Sequence, residues 1–148
     1  MIYIASDHVG LKLKKKIASM LANELKVDFK DLGPKKLDPT DDFPDFAVPV
    51  GQKVVTNPKN IGILICASGH GMCIAANKIK GIRAIIGYSI EGARMGREHN
   101  NANILCLGAK ALSQDHALLI VKKFLETKFD NDARLARRNK KIQKIEQL

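Results

Sequence analysis

Long hydrophobic runs are absent from this chain: none approaches the roughly 20 apolar residues that a membrane-spanning helix needs. The first residues, MIYIAS, indicate a short strand without a charged region before it, so we expect no secretion signal. Cysteine is scarce too, since Cys66, Cys73 and Cys106 are odd in number and lack metal-ligand spacing such as CxxC. We therefore expect a soluble, cytoplasmic protein that needs neither disulfides nor a structural metal.

Aromatic residues are also few, with five Phe, two Tyr and no Trp. The formal net charge of +10 permits nucleic-acid binding. However, the lysines are spread over segments at 12–16, 35–36, 122–123 and 140–144, with no interleaved aromatics for base stacking. This distribution favours solvated helix faces, with no nucleic-acid or membrane partner. A basic nucleotide- or nucleic-acid-binding module remains the alternative from another functional class.

The 148 residues fit a single domain spanning 1–148, long enough to bury roughly 68–70% of the unfolded surface. Five short apolar runs predict strands, at 2–5, 27–30, 61–66, 82–87 and 103–108. Helical patterns fall between them, at about 13–25, 47–55, 71–79, 89–99 and 113–128, before a basic helix at about 132–148 capped by Asn131 or Asp132. This alternation predicts an α/β fold with a five-stranded, parallel, doubly wound (Rossmann-like) sheet.

The segment LICASGHGMCIAANK, at 64–78, carries the most informative pattern. A buried strand delivers Cys66 to the carboxyl edge of the sheet, and a loop with Gly69 and Gly71 then leads into a helix. Both glycines permit positive φ angles, which turn backbone N–H groups inward as an anion-binding nest. A thiol held there becomes available as a base, whereas Cys73 and Cys106 are interpreted as inert; for Cys66 alone, a buried inert thiol is the alternative.

Two further polar segments flank predicted strands. SDHVG follows the first strand, so Asp7 and His8 should share the edge with Cys66; a capping Asp and a structural His are the alternative. REHNN precedes the fifth strand and places His99 and Asn100 on a predicted loop, where His99 can transfer protons at physiological pH. The alternative for His99 is a histidine favoured by the helix macrodipole.

The last helix and the acidic loop contain clustered charges. Arg134 and Arg138 are four residues apart on one helix face and suit a phosphate, although Arg137 is equally available. The acidic loop has carboxylates that surround two prolines, which favours turns over a metal site; they belong to Asp38, Asp41, Asp42 and Asp45. His70, between two glycines, is interpreted as facing water.

Four segments together resemble a known family: SDHVGLKLK at 6–14, DDFPDFA at 41–47, GILICASGHGMCIAANKIKGIRA at 62–84 and REHNNANILCLGAK at 97–110. The chain is similar, nearly end to end, to type B ribose-5-phosphate isomerases, a family that also holds the galactose-6-phosphate isomerase subunits. The resemblance implies a three-layer α/β/α sandwich and a homodimer, possibly a tetramer, with active sites at the subunit interface. It also implies interconversion of ribose 5-phosphate and ribulose 5-phosphate without a metal or organic cofactor.

The resemblance also implies residue roles. Cys66 would be the base that moves a proton between C1 and C2, and His99, assisted by Asp7, would open the furanose ring. Ser68 would help with hydroxyl protons, and Asn100 would bind sugar oxygens. The remaining contacts would be the backbone at Ala67, Gly69, His70 and Gly71 for the enediolate, and His8, Lys110, Arg134 and Arg138 for the phosphate. A six-carbon substrate, such as allose or galactose 6-phosphate, is the alternative within this class.

Overall fold

A computed structural model describes all 148 residues and contains one five-stranded sheet. All strand pairs are parallel, in the order β2-β1-β3-β5-β4. The strands are β1 (Ile2–Ser6), β2 (Phe29–Asp31), β3 (Ile61–Cys66), β4 (Ala84–Ile86) and β5 (Ile104–Gly108). Each lies on a predicted apolar run, so the predicted parallel sheet is confirmed.

The second strand begins two residues later than its predicted run. Lys26 adopts a left-handed conformation, with φ at 51°, and the Val27 N–H donates to the Leu21 carbonyl. This closes the end of the preceding helix, so Val27 completes a turn there. Of residues 27 and 28, only the Asp28 carbonyl reaches β1, where it accepts from the Ile2 N–H at 3.3 Å.

Six helices connect the strands: α1 (Leu11–Ser19, continued by a π-helical turn, Met20–Glu24), α2 (Pro44–Val54), α3 (His70–Asn77), α4 (Ile90–Asn100), α5 (Gln114–Glu126) and α6 (Ala133–Ile145). The side chains of Ser89, Ser113 and Asp132 each accept a hydrogen bond from the backbone N–H three residues later. These caps confirm the predicted starts of the last three helices and select Asp132 over Asn131. None of the helices combines the length and the apolar character that crossing a membrane requires.

The helices cover both faces of the sheet. On one face, α1, α4 and α5 pack against side chains such as Ile63 and Leu107. On the other face, α2 and α3 pack against Leu64, Cys66 and Cys106. Each fully buried Leu or Ile contributes about 1.5–3 kcal/mol relative to exposure. The predicted doubly wound, three-layer arrangement is therefore confirmed, and Cys66 points to the face covered by α2 and α3.

Helix α4 extends further than the sequence suggests, which corrects the predicted loop at His99 and Asn100. Both residues lie in its last turn, and the helix ends at Asn101 in a left-handed conformation with φ at 49°. Asparagine tolerates this conformation better than most residues, so it supplies the helix end that glycine often provides. His99 therefore sits where its sequence alternative placed it, at a helix C-terminus.

Candidate active site

Cys66 is the last residue of β3, and its thiol is held by the loop that follows. The residue is only 5% exposed, and the Gly69 N–H donates to its Sγ at 3.1 Å. Gly69 has φ at +84°, and a Cβ there would lie 3.1 Å from the Leu107 carbonyl carbon. The predicted positive φ is therefore confirmed at Gly69, where it aims a backbone donor at the sulfur.

Gly71 serves a different purpose from the one predicted. Helix α3 begins at His70, so Gly71 lies in its first turn and is not among the glycines with positive φ. A Cβ on Gly71 would lie 2.6 Å from Cζ of Phe43. The missing side chain makes room for the Phe43 ring, which packs the loop before α2 against the start of α3.

The loop between Cys66 and α3 leaves backbone donors unused. The N–H groups of Ser68 and Gly71 have no acceptor within the chain, as expected where a helix begins. Such groups beside a thiol suit a negatively charged oxygen. The carbonyls of Cys66 and Ala67, in contrast, bond to the segment that follows β5. The Ala109 N–H donates to the Cys66 carbonyl at 2.8 Å, and the Lys110 N–H donates to the Ala67 carbonyl at 2.9 Å.

Asp7 and His8 lie beside Cys66 because β1 and β3 are neighbours, with β2 and β5 on their outer sides. This is the point where strand order reverses, the usual ligand position in such sheets. The Asp7 N–H donates to the Ile65 carbonyl at 3.1 Å. Asp7 Oδ1 accepts from the Gly10 N–H at 2.9 Å, which closes the turn before α1, whereas α1 itself begins after Gly10 without a side-chain cap.

His8 is bound by a residue that the sequence analysis assigned to a turn. Asp41 Oδ1 accepts from the His8 N–H at 3.1 Å and lies 2.6 Å from its Nδ1. This hydrogen bond, reinforced by nearby carboxylates, raises the pKa of His8 above 6.5. The predicted turn is confirmed, since Asp38 Oδ1 accepts from Thr40 and the Asp41 N–H donates to the Asp38 carbonyl at 3.2 Å. The bond from Asp41 to His8 is an additional role that the sequence analysis missed. His8 and Asp41 are 33 residues apart, and no pattern in the sequence indicates that they are in contact.

We use the name thiol edge for Asp7, His8, residues 66–71 and Lys110, which surround the carboxyl ends of β1, β3 and β5. Within it, the side chains of Ser68, His70 and Lys110 are exposed, while Cys66 and Asp7 are buried. The predicted solvent-facing position of His70 is therefore confirmed.

A second group of predicted residues lines a cavity of about 290 Å³ between α4 and α6. We call it the arginine pocket, and its lining residues are His99, Asn100, Arg134, Leu135 and Arg138. Arg138 lines this cavity and Arg137 does not. Asn139, which sequence analysis missed, donates from Nδ2 to the carbonyls of His99 at 2.8 Å and Leu135 at 2.9 Å. This joins α6 to the end of α4.

The thiol edge and the arginine pocket lie at opposite edges of the sheet. The chain leaving α4 meets the amino ends of the strands, because Asn103 donates to the Arg83 carbonyl and accepts from the Gly62 N–H. Cys66 pairs with Gly108 at the carboxyl end of β5. The length of β5 alone separates the two edges by about 13 Å. One chain therefore does not bring His99 to Cys66.

The two other cysteines lie under the α2 and α3 face. Burial raises the pKa of the Cys106 thiol well above its ordinary value, and its contact with Cys73 acts in the same direction. Cys106 is fully buried in β5. These properties favour the protonated form of Cys106, whereas the hydrogen bond with Cys106 lowers the pKa of Cys73. The inert role of both thiols stays a prediction.

Comparison with known proteins adds an independent finding. The model of the Ribose/Galactose Isomerase family matches residues 2–145. A probable ribose-5-phosphate isomerase B from Mycoplasma pneumoniae is 42% identical over 97% of this chain and 91% of its own. The ribose-5-phosphate isomerase B of Mycobacterium tuberculosis (strain H37Rv) is 34% identical over 93% and 84%.

Two solved structures share the fold of this chain over nearly its whole length. The crystal structure of ribose-5-phosphate isomerase B from Mycoplasma genitalium with bound ribulose-5-phosphate has a TM-score of 0.94 at 44% identity, covering 99% of this chain and 95% of that one. The corresponding Clostridium thermocellum protein has a TM-score of 0.93 at 42% identity, with coverages of 99% and 97%.

Proposed function

The chain belongs to the ribose/galactose isomerase family, and from this membership we propose that it interconverts ribose 5-phosphate and ribulose 5-phosphate. Relatives covering most of the chain are ribose-5-phosphate isomerases B, and one was solved with ribulose-5-phosphate bound. This supports a five-carbon substrate over allose or galactose 6-phosphate. It also favours an isomerase over a basic nucleic-acid-binding module.

The observation that carries the proposal is the N–H of Gly69 on the Cys66 sulfur. A hydrogen bond from an amide stabilises negative charge on the sulfur, which is the form that accepts a proton. In the open-chain aldose, Cys66 removes the proton from C2, and the electron pair of that bond moves through C1 to the carbonyl oxygen. Return of the proton to C1 then gives the ketose.

The unpaired N–H groups beside Cys66 suit the intermediate of this reaction. The enediolate carries negative charge on its oxygens, and Ser68 and Gly71 offer donors without an internal acceptor. One well-placed donor lowers the barrier by about 2.7–4 kcal/mol. The exposed hydroxyl of Ser68 moves the proton between the two substrate oxygens, as the family resemblance suggests.

The arginine pocket supplies most of the groups for ring opening and phosphate binding, and the thiol edge supplies the others. His99 protonates the ring oxygen, with Asp7 assisting at the C1 hydroxyl, and Asn100 binds sugar oxygens. Arg134 and Arg138 bind the phosphate, together with His8 and Lys110 of the thiol edge. Because the two groups lie at opposite edges of one chain, two copies pair so that the thiol edge of one faces the arginine pocket of the other.

The experiment is isomerisation of ribose 5-phosphate in D₂O by the wild type, Cys66→Ala and Cys73→Ala, each checked for folding by circular dichroism. We expect Cys66→Ala to lose about 10²–10⁴ of kcat, together with solvent-derived deuterium at C1, as removal of a general base predicts. Cys73→Ala is the matched control, because it makes the same change in a half-buried thiol on α3.

Near wild-type turnover by Cys66→Ala would contradict the mechanism. Faster turnover of allose 6-phosphate than of ribose 5-phosphate by the wild type would contradict the substrate. Steeply salt-dependent binding to nucleic acid, unaffected by Cys66→Ala and without isomerisation, would favour the binding module instead.

A further inference from the structure

Asp41 has no role in the proposed reaction, but its contact with His8 indicates one. We propose that Asp41 is a positioning residue, which holds the His8 ring in place as a fixed cation for the substrate phosphate. This rests on the proposed isomerase function, because His8 enters that scheme as a phosphate ligand.

The geometry of the pair fixes both the backbone and the ring of His8. A single oxygen of Asp41, Oδ1, accepts from the His8 N–H at 3.1 Å and contacts Nδ1 at 2.6 Å. The Asp41 side chain is 8% exposed and that of His8 is 29% exposed. With Nδ1 bound to the carboxylate, Nε2 is the nitrogen left to donate to a ligand. It has no partner within the chain.

The other oxygen of Asp41 explains why His8 should carry a charge. Asp41 Oδ2 is buried and has no hydrogen-bond partner. A buried carboxylate with an unsatisfied oxygen is unfavourable unless a positive charge lies beside it. Protonated His8 supplies that charge beside the buried carboxylate.

The acidic groups around His8 act in the same direction. Those that face it are Asp41 and Asp38, from the loop before α2, and Asp7, from the end of β1. The hydrogen bond to Asp41 is the main cause that raises the pKa of His8 above 6.5, and partial burial opposes it. The imidazolium is therefore present at low pH and persists to a higher pH than in a free histidine, until the pH exceeds the raised pKa.

The loop that carries Asp41 is tied to the thiol edge by a second contact. Phe43 packs its ring where Gly71 lacks a Cβ, two residues after Asp41. Asp7, next to His8, bonds to β3 one residue before Cys66. The His8 ring is thus held near Cys66 from two directions, by the Asp41 loop and by the end of β1. From there it would reach a substrate phosphate that the arginine pocket of the partner copy also binds.

The first test needs no catalysis. The His8 imidazole is titrated by NMR in the wild type, Asp41→Asn and Asp38→Asn, and its shift is then followed as inorganic phosphate is added. Asp41→Asn keeps the shape and removes the charge, so we expect the His8 midpoint to fall toward 6.5. Asp38→Asn, which alters a neighbouring carboxylate bonded to Thr40, should move it less.

Phosphate affinity distinguishes a charge effect from a structural one. At a pH above the midpoint of the variant, Asp41→Asn should bind inorganic phosphate severalfold more weakly than the wild type, because a smaller fraction of its His8 carries a proton. Well below pH 6.5, both forms carry imidazolium and the difference should disappear. A loss of affinity that persists at low pH, or an unchanged His8 midpoint, would overturn the proposal.

A double-mutant comparison completes the test. In a His8→Asn background, Asp41→Asn should cause no further loss of phosphate affinity, because Asp41 acts through His8. A further loss of similar size in that background would show that Asp41 acts by another route and would overturn the proposal. Steady-state assays should show Asp41→Asn raising KM for ribose 5-phosphate with kcat little changed. If wild-type protein binds phosphate as expected but does not isomerise ribose 5-phosphate, the proposed function fails while the pairing of Asp41 with His8 stands.

Discussion

The thiol edge and the arginine pocket are made of different parts of the protein. At the thiol edge, the groups nearest Cys66 are backbone amides, and the loop is bonded to Ala109 and Lys110 at the end of β5. In the arginine pocket, long side chains from α4 and α6 surround the cavity, and that of Arg134 is 60% exposed. One region is fixed by the sheet, whereas the other is held by contacts between helices.

This difference fits the two separate tasks that we propose for the two regions. Stabilising charge in a transition state requires donors that are already in place, and a bonded backbone loop provides them. Binding a phosphate relies on charge, and arginine side chains provide it at a cost of up to about 2 kcal/mol each in rotamer freedom. Changes at the thiol edge should therefore lower kcat, and changes in the arginine pocket should mainly raise KM.

Among changes that leave Cys66 itself in place, the largest effect is expected when the backbone of the thiol edge is strained. Gly69→Ala forces a side chain onto a residue with φ at +84°, against the Leu107 carbonyl. We expect kcat to fall about 10²–10³-fold, as for loss of one oxyanion donor. The control is Gly81→Ala, at φ +88° and away from the thiol edge. Both variants should lose about 1–3 kcal/mol of unfolding free energy, but equal losses of kcat would contradict the account.

Removal of a pocket arginine tests the other side of the comparison. Arg138→Ala should raise KM for ribose 5-phosphate about 10–100-fold, because a hydrogen bond to a charged group contributes about 1.5–3 kcal/mol. Arg137→Ala removes the same side chain from a position that does not line the cavity. Steady-state kinetics should show KM little changed for Arg137→Ala. A larger rise in KM for Arg137→Ala than for Arg138→Ala would indicate that Arg137, and not Arg138, binds the phosphate.

The smallest effect is expected from loosening the pocket without touching its lining. Asp132→Ala removes the cap of α6, two residues before Arg134, and should cost about 0.5–2 kcal/mol of unfolding free energy. KM should rise a fewfold, while kcat stays unchanged. Ser113→Ala removes an equivalent cap from α5 and is the matched control. Chemical denaturation and kinetics together would contradict the account if both variants changed KM equally.

Sequence patterns predicted the thiol edge better than the arginine pocket. Strand β3 and the turn at Gly69 follow from local signals, an apolar run and a glycine, and both are confirmed. Contacts that link distant positions left no local signal: Asp41 meets His8 across 33 residues, and Asn139 meets His99 across 40. The roles of Cys66 and His99 stay predictions, because a fold places these residues without testing their chemistry.

The end of α4 was misjudged for a related reason. An Asn-Asn pair, at Asn100 and Asn101, is typical of loops, but only Asn101 takes the left-handed conformation that ends the helix. The separation of His99 from Cys66 depends on strand order, which a single sequence does not give. That separation is the basis for our proposal that each site is assembled from two copies of the chain.

Mixing two inactive variants tests this central claim most directly. Cys66→Ala and His99→Asn proteins, each purified, are unfolded together, refolded and assayed with ribose 5-phosphate, and mixed dimers are counted by two affinity tags. If each site takes Cys66 from one chain and His99 from the other, a mixed dimer has one intact site, and random pairing restores about a quarter of wild-type activity. Mixed dimers that form but remain inactive would contradict the account.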